Sequence, residues 1–181
     1  ILIFAGLPAT VANGTNRVAI VVQNLSALGG FRRRGYTVGR DAVLLLVPSV
    51  LGALVGVRLA IDIDEETLRK VIGVVLVVML VPLMRRRHAA PRGEVQVRRR
   101  FWLWPAYFMV GAYGGFIQAG VGFFYLALMA GVEGLDLVRA NLIKVFLILA
   151  YSLLALAVFA GAGQVALLPG LVLGVGNAAG G

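Results

Sequence analysis

The sequence predicts an all-α, polytopic membrane helix bundle with an internal duplication, and three observations carry that expectation. Sixty per cent of the 181 residues are apolar and 14% are charged, with a mean hydropathy of +0.94, more apolar side chain than the single core of a soluble domain takes up. The arginines come in blocks beside long apolar runs, the pattern of loops that flank membrane spans. Sliding the chain on itself by 128 positions pairs residues 1–53 with 129–181 without a gap and gives 13 identities, among them Gly6/Gly134, Ala12/Ala140, Asn13/Asn141, Phe31/Phe159, Gly35/Gly163 and Gly52/Gly180. So biased a composition matches itself by accident at about five such pairs, so the excess reads as a repeat.

A helix needs about 20 residues to cross a bilayer core, which sets the expected elements. Residues 9–31 form a first full span, unusually polar because of Asn13, Asn16, Arg17, Gln23 and Asn24, so it cannot face lipid all round. Residues 41–60 form a second, with a proline and glycines that a membrane helix tolerates, and a third runs from about Thr67 to Met84. The copy of the first span is expected at 137–159. The chain starts at Ile1 without a methionine and stops at Gly181 inside an apolar run, so both ends read as cut, with residues 1–6 as the tail of a helix. The expected division is 1–84 as a first repeat lacking its start, 85–100 as a basic cytoplasmic loop, and 101–181 as a second repeat lacking its end.

Sidedness follows from charge. FRRRGYTVGR holds four arginines and MRRRHAAPRGEVQVRRR seven, while the turn between the second and third spans reads IDIDEET. By the positive-inside rule both basic loops are cytoplasmic and the acidic turn faces out, in a multi-pass protein of the cell membrane. The stretch 101–131 is long for one span, and GGFIQAGVG sits in its middle. Two short helices meeting at a break within 113–122 would make the copies run in opposite directions, whereas one tilted span would make them parallel. Basic residues follow the end of the first span but sit at the start of its copy, which favours inversion. Trp102 and Trp104 beside the arginines read as interface anchors.

The chemistry narrows by exclusion. The chain has no cysteine, its one histidine, His88, lies among arginines, and its eight carboxylates fall near helix ends or in loops, so neither a catalytic constellation nor a metal or cofactor site is readable. The net charge of +9 does not point to nucleic acid, because the arginines are not interleaved with aromatics along a soluble face. The polar residues inside the spans are informative, because each is costly in hydrocarbon unless it meets a neighbour or a wet cavity. Asn13, Asn16, Arg17 and Asn24 share about 100° of one helix face. The copy repeats the polarity at Asn141, Lys144 and Ser152. These groups could merely bind helices together, and Arg17 and Lys144 could reach the headgroups by snorkelling. Donors and cations predominate on both stripes, however, and the glycines around Gln118 let backbone approach a ligand closely. The candidate substrate site is therefore Asn13, Asn16, Arg17, Gln118, Asn141 and Lys144, for a small anion, with the lipid bilayer as the other partner.

These residues carry a resemblance. The run GAYGGFIQAGVGFFYLALMAGVEGLDLVRANLIKVFLILAYSLLALAVFAGAGQVALLPGLVLGVGNAAG resembles the second half of the TauE/SafE family of membrane permeases, in its Gly-rich broken helix, the Ala-Asn of the next span, the Phe-x-x-x-Gly ending and the Gly-x-Gly-Asn near the end. GLPATVANGTNRVAIVVQNLSALGGFRRRG and the two spans after it are similar to the first repeat, although this chain starts after the Gly-rich segment that usually opens it. The resemblance implies an inner-membrane transporter of small anions, with sulfite and sulfonates as the named cases, and no enzyme. The alternative is a non-transporting membrane protein, a structural partner or a lipid-facing enzyme whose polar stripes only lock helices.

Overall fold

A computed structural model describes residues 2–84 and 101–180. The basic stretch 85–100, with His88 and Glu94, lies outside the described residues. All regular structure among them is helical: α1 (Ala9–Arg33), α2 (Arg40–Asp62), α3 (Glu65–Met84), a 3-10 turn (Phe101–Leu103) leading into α4 (Trp104–Phe116), α5 (Val121–Leu126) continuing as a π-helical turn (Ala127–Val132), α6 (Leu137–Gly161) and α7 (Leu167–Gly180). Ala42–Asp62 and Leu137–Gly161 are long and apolar enough to cross a membrane, and their outer faces display Leu44, Leu51, Leu59, Leu153 and Leu154. Residues 2–6, expected as the tail of a helix, form a series of turns.

Small residues decide which helices meet. Gly52 and Gly56 of α2 lie against the backbone of Phe108 and Ala112 in α4, and Gly111 and Gly115 of α4 lie against Ser49 and Ala53. A Cβ at any of these four glycines would overlap the facing backbone, so two glycine pairs spaced by four residues interlock α2 and α4 at close range. Because 49 meets 111 and 53 meets 115, the two helices run parallel. α1 runs parallel to α7 in the same way, with Gly170 against Thr15 and Val18 and Gly174 against Ala19 and Val22. Thr15 Oγ1 accepts the N–H of Ala166 at 2.9 Å, satisfying a donor at the start of α7.

The stretch 101–131 doubles back rather than crossing as one tilted span. α4 opens with Pro105 in its first turn, where a missing N–H costs nothing, and ends at Phe116. Gln118 and Gly120 then adopt left-handed φ values of 70° and 67°, and α5 returns alongside α4. The return is visible in contacts at both ends: Val121 lies against Gly114, whereas the Tyr125 ring lies tilted beside that of Tyr107, centroids 6.1 Å apart, and the Tyr107 hydroxyl donates to Glu133. The break at 117–120 falls inside the expected window.

α1 and α6 therefore run antiparallel. Gly14 and Arg17 face Phe159 near the end of α6, while Ile20 and Asn24 share a cavity with Asn141 and Lys144 near its start. The two helices are each 25 residues long, and their bounds, Ala9–Arg33 and Leu137–Gly161, differ by the 128 positions of the sequence offset. Gly6 and Gly134 before them, and Gly35 and Gly163 after them, all have left-handed φ. Both helices end in the same way: Gly35 and Tyr36 donate to Arg32 and Phe31, and Gly163 and Gln164 to Ala160 and Phe159, closing the last turn around a glycine whose φ no β-carbon opposes.

Candidate functional site

Ending a helix inside an apolar bundle leaves its last carbonyls without partners, and each unpaired one is costly. At the end of α4 the Tyr113 carbonyl accepts the Ile117 N–H at 3.0 Å. The next three are taken by side chains of α1. Arg17 donates to the Gly114 carbonyl through Nη1 and to the Gly115 carbonyl through Nη2, both at 2.6 Å, and Asn13 Nδ2 donates to the Phe116 carbonyl at 2.7 Å. Within the break, Val121 donates to the Gln118 carbonyl, the Tyr113 hydroxyl to the Ala119 carbonyl, and Phe123 to the Gly120 carbonyl. Arg17 Nη1 also donates to Gln118 Oε1.

Arg17 is fully buried, and its Cζ lies 5.4 Å from the centroid of the Phe159 ring, which covers one face of the guanidinium. Its Nε has no hydrogen-bond partner among the described residues. Arg17 does not snorkel, the alternative to a substrate contact that its place in the span left open: the side chain turns inward to α4 instead of outward to a headgroup.

Beside the break lies a cavity of about 870 Å³ between α1, α5, α6 and α7. Its floor is Gln118, Gly120, Val121 and Gly122 together with Asn141, Lys144 and Ile148 of α6, and its mouth is Ser26, Gly29, Gly30, Arg33 and Arg34 at the end of α1. Lys144 is half-buried and folds over the start of α5, so that a Cβ at Gly122 would meet its Cδ at 3.3 Å. The charged side chains lining the cavity are Lys144, Arg33 and Arg34, all cations, and Lys144 has no carboxylate partner among the described residues. Such a lining lowers the cost of bringing in a negative charge.

Of the six residues singled out by sequence, Gln118, Asn141 and Lys144 line the cavity, Arg17 and Asn13 stand behind the break, and Asn16, half-buried on α1, lies outside the lining. Asn24 borders the cavity, and its Nδ2 donates to the Ile20 carbonyl of its own helix at 2.7 Å. Sequence reasoning missed Asn177, which also lines the cavity and reaches Gln23 Oε1 at 3.5 Å; its place in Gly-x-Gly-Asn was the available signal. It also left Glu133 among the loop carboxylates, where the fold buries it.

Two relatives are similar over much of the chain. A Sinorhizobium protein named "Probable membrane transporter protein ORF9" is 24% identical over 97% of this chain and 68% of its own length. A Xylella fastidiosa protein named "Probable membrane transporter protein" is 28% identical over 62% of this chain, which spans 44% of that relative. No solved structure matches the chain. The family model described as Sulfite exporter TauE/SafE matches residues 1–181, and the helix broken between Phe116 and Val121, the Ala-Asn of α6 and the Gly-x-Gly-Asn of α7 are in place in the fold: this chain belongs to the TauE/SafE family.

Proposed function

We propose that the protein is a membrane transporter of small anions, with sulfite and small organosulfonates as the class to test first. The observation that carries this reading is the cavity whose charged lining residues are all cations, closed at its floor by Lys144, Asn141 and the glycine-rich break. An anion there gains a direct cationic contact and the Asn141 amide. A cation would meet three like charges. The bilayer supplies the other environment, consistent with the apolar outer faces of α2 and α6. Transporter names of both relatives support the same reading.

Sidedness and symmetry belong to the proposal. Arginine-rich 32–40 faces the cytoplasm and the acidic 62–66 turn faces out, so the cavity mouth at Arg33 and Arg34 opens inward. An inverted duplication is supported by the antiparallel course of α1 and α6, their equal length at an offset of 128 positions, and the left-handed glycines that flank both. Counterflow of radiolabelled sulfite and acetate-sized organic anions into vesicles containing the full-length protein tests transport directly. Exchange well above empty vesicles is expected; none across the panel would leave a non-transporting membrane protein as the better reading.

A further inference from the structure

We infer that Arg17 and Asn13 are positioning residues for the cavity floor: they hold the 117–120 break in the shape that sets Gly120, Val121 and Gly122 beside Lys144, and do not touch the anion themselves. The inference rests on the anion reading for its transport arm. Its geometric arm does not.

The fork of a guanidinium matches two adjacent carbonyls, and Arg17 places one Nη on Gly114 and the other on Gly115. A cation at the C-terminal end of α4 also meets the negative end of that helix's dipole. The third acceptor, Gln118 Oε1, belongs to the residue whose left-handed φ of 70° a side chain disfavours. Arg17 therefore fixes both the end of α4 and the first strained residue after it, and Asn13 fixes the carbonyl between them. Neither residue lines the cavity, whereas Gln118 and the three residues from Gly120 to Gly122 do. Released from α1, the break has no other described side chain on the Gly114 and Gly115 carbonyls, and the floor moves with it.

The chain has no cysteine, so single thiols report locally. Ala119→Cys places one in the break and Ala155→Cys one in the buried face of α6. In the full-length protein, Arg17→Gln is expected to speed alkylation of the thiol at 119 by a hydrophilic maleimide about tenfold, the weight of one charge-assisted hydrogen bond, and to leave the thiol at 155 unchanged. Sulfite counterflow should fall by a similar factor, with Arg17→Lys recovering part of it and keeping the wild-type ratio of sulfite to sulfoacetate. Equal acceleration at 119 and 155 would show a general loosening and overturn the inference. Unchanged reactivity at 119, or an altered sulfite to sulfoacetate ratio in Arg17→Lys, would overturn it too, the latter by making Arg17 a ligand. If Arg17→Gln does not insert, Asn13→Ala keeps the cation, removes the Phe116 bond and takes the same thiol test with the same expected direction. A wild-type protein that moves no anion would sink the transport reading while the thiol result still decides the role of Arg17.

Discussion

Replacing Lys144 by Gln separates the charge of the cavity floor from its packing. The side chain is half-buried, lies over the start of α5, and has no carboxylate partner among the described residues, so its removal strands no opposite charge. Gln keeps most of the stem and a terminal donor. Stability should therefore change by less than about 0.5 kcal/mol, as for substitutions that leave no buried group unpaired. The anion loses a charge-assisted contact, worth about 1.5 to 3 kcal/mol, which corresponds to roughly ten- to hundredfold in apparent affinity. The assay is the concentration dependence of sulfite counterflow for wild type and Lys144→Gln at matched protein content, with thermal melting in detergent alongside. Lys144→Arg should keep partial activity with a changed order among anions, because a planar fork does not occupy the place of a compact ammonium. Wild-type affinity in Lys144→Gln, or a protein that no longer folds, would refute the reasoning: the first makes the cation a bystander, the second makes it structural.

Gly56→Ala puts a Cβ onto the Ala112 carbonyl and should cost about 1 to 3 kcal/mol by forcing α2 from α4, whereas Gly73→Ala, with open space around it, should be neutral or better; detergent melting curves compare them directly. Asp64 accepts the Thr67 N–H at 2.9 Å at the start of α3, and that bond holds its exposed carboxyl below the ordinary carboxylate value. A depressed folded value means that its contribution is complete above the unfolded pKa and disappears as pH falls through the folded one, so Asp64→Asn should lower the melting point at neutral pH and converge with wild type in acid. Cysteines at Gly35 and at Glu65 should label from opposite sides of intact cells, with an impermeant reagent reaching Glu65→Cys and not Gly35→Cys; the reverse pattern would invert the proposed orientation.

The helices were legible where composition changes sharply. Arginines at 32–34 and the acidic turn at 62–66 fixed the ends of α1, α2 and α3 to within about two residues, the ordinary scatter of helix boundaries. The break was legible because glycines and a lone glutamine interrupt a run that is otherwise too long. Partnerships were not. Arg17 looked like a ligand or a headgroup contact because its acceptors are backbone carbonyls, which every sequence contains and none advertises. The parallel pairing of α2 with α4 depends on glycines near 52 and 111 that only meet once α3 and the stretch after it have been passed. Glu133 read as a loop residue because its partner, Tyr107, sits 26 positions earlier and comes alongside only when the hairpin closes.

The pairing of Arg17 with α4 sets an order of events during synthesis. Its acceptors lie 97, 98 and 101 residues downstream, so a ribosome adding about 5 to 20 residues per second makes them roughly 5 to 20 seconds after α1 emerges. Throughout that interval a guanidinium about two turns into α1 would cost up to about 2.5 to 3.5 kcal/mol in lipid, the figure for a helix centre. α1 therefore has reason to wait in the insertion machinery or at the membrane surface until residues 114–118 arrive, so that a helix made well before α4 settles only after it.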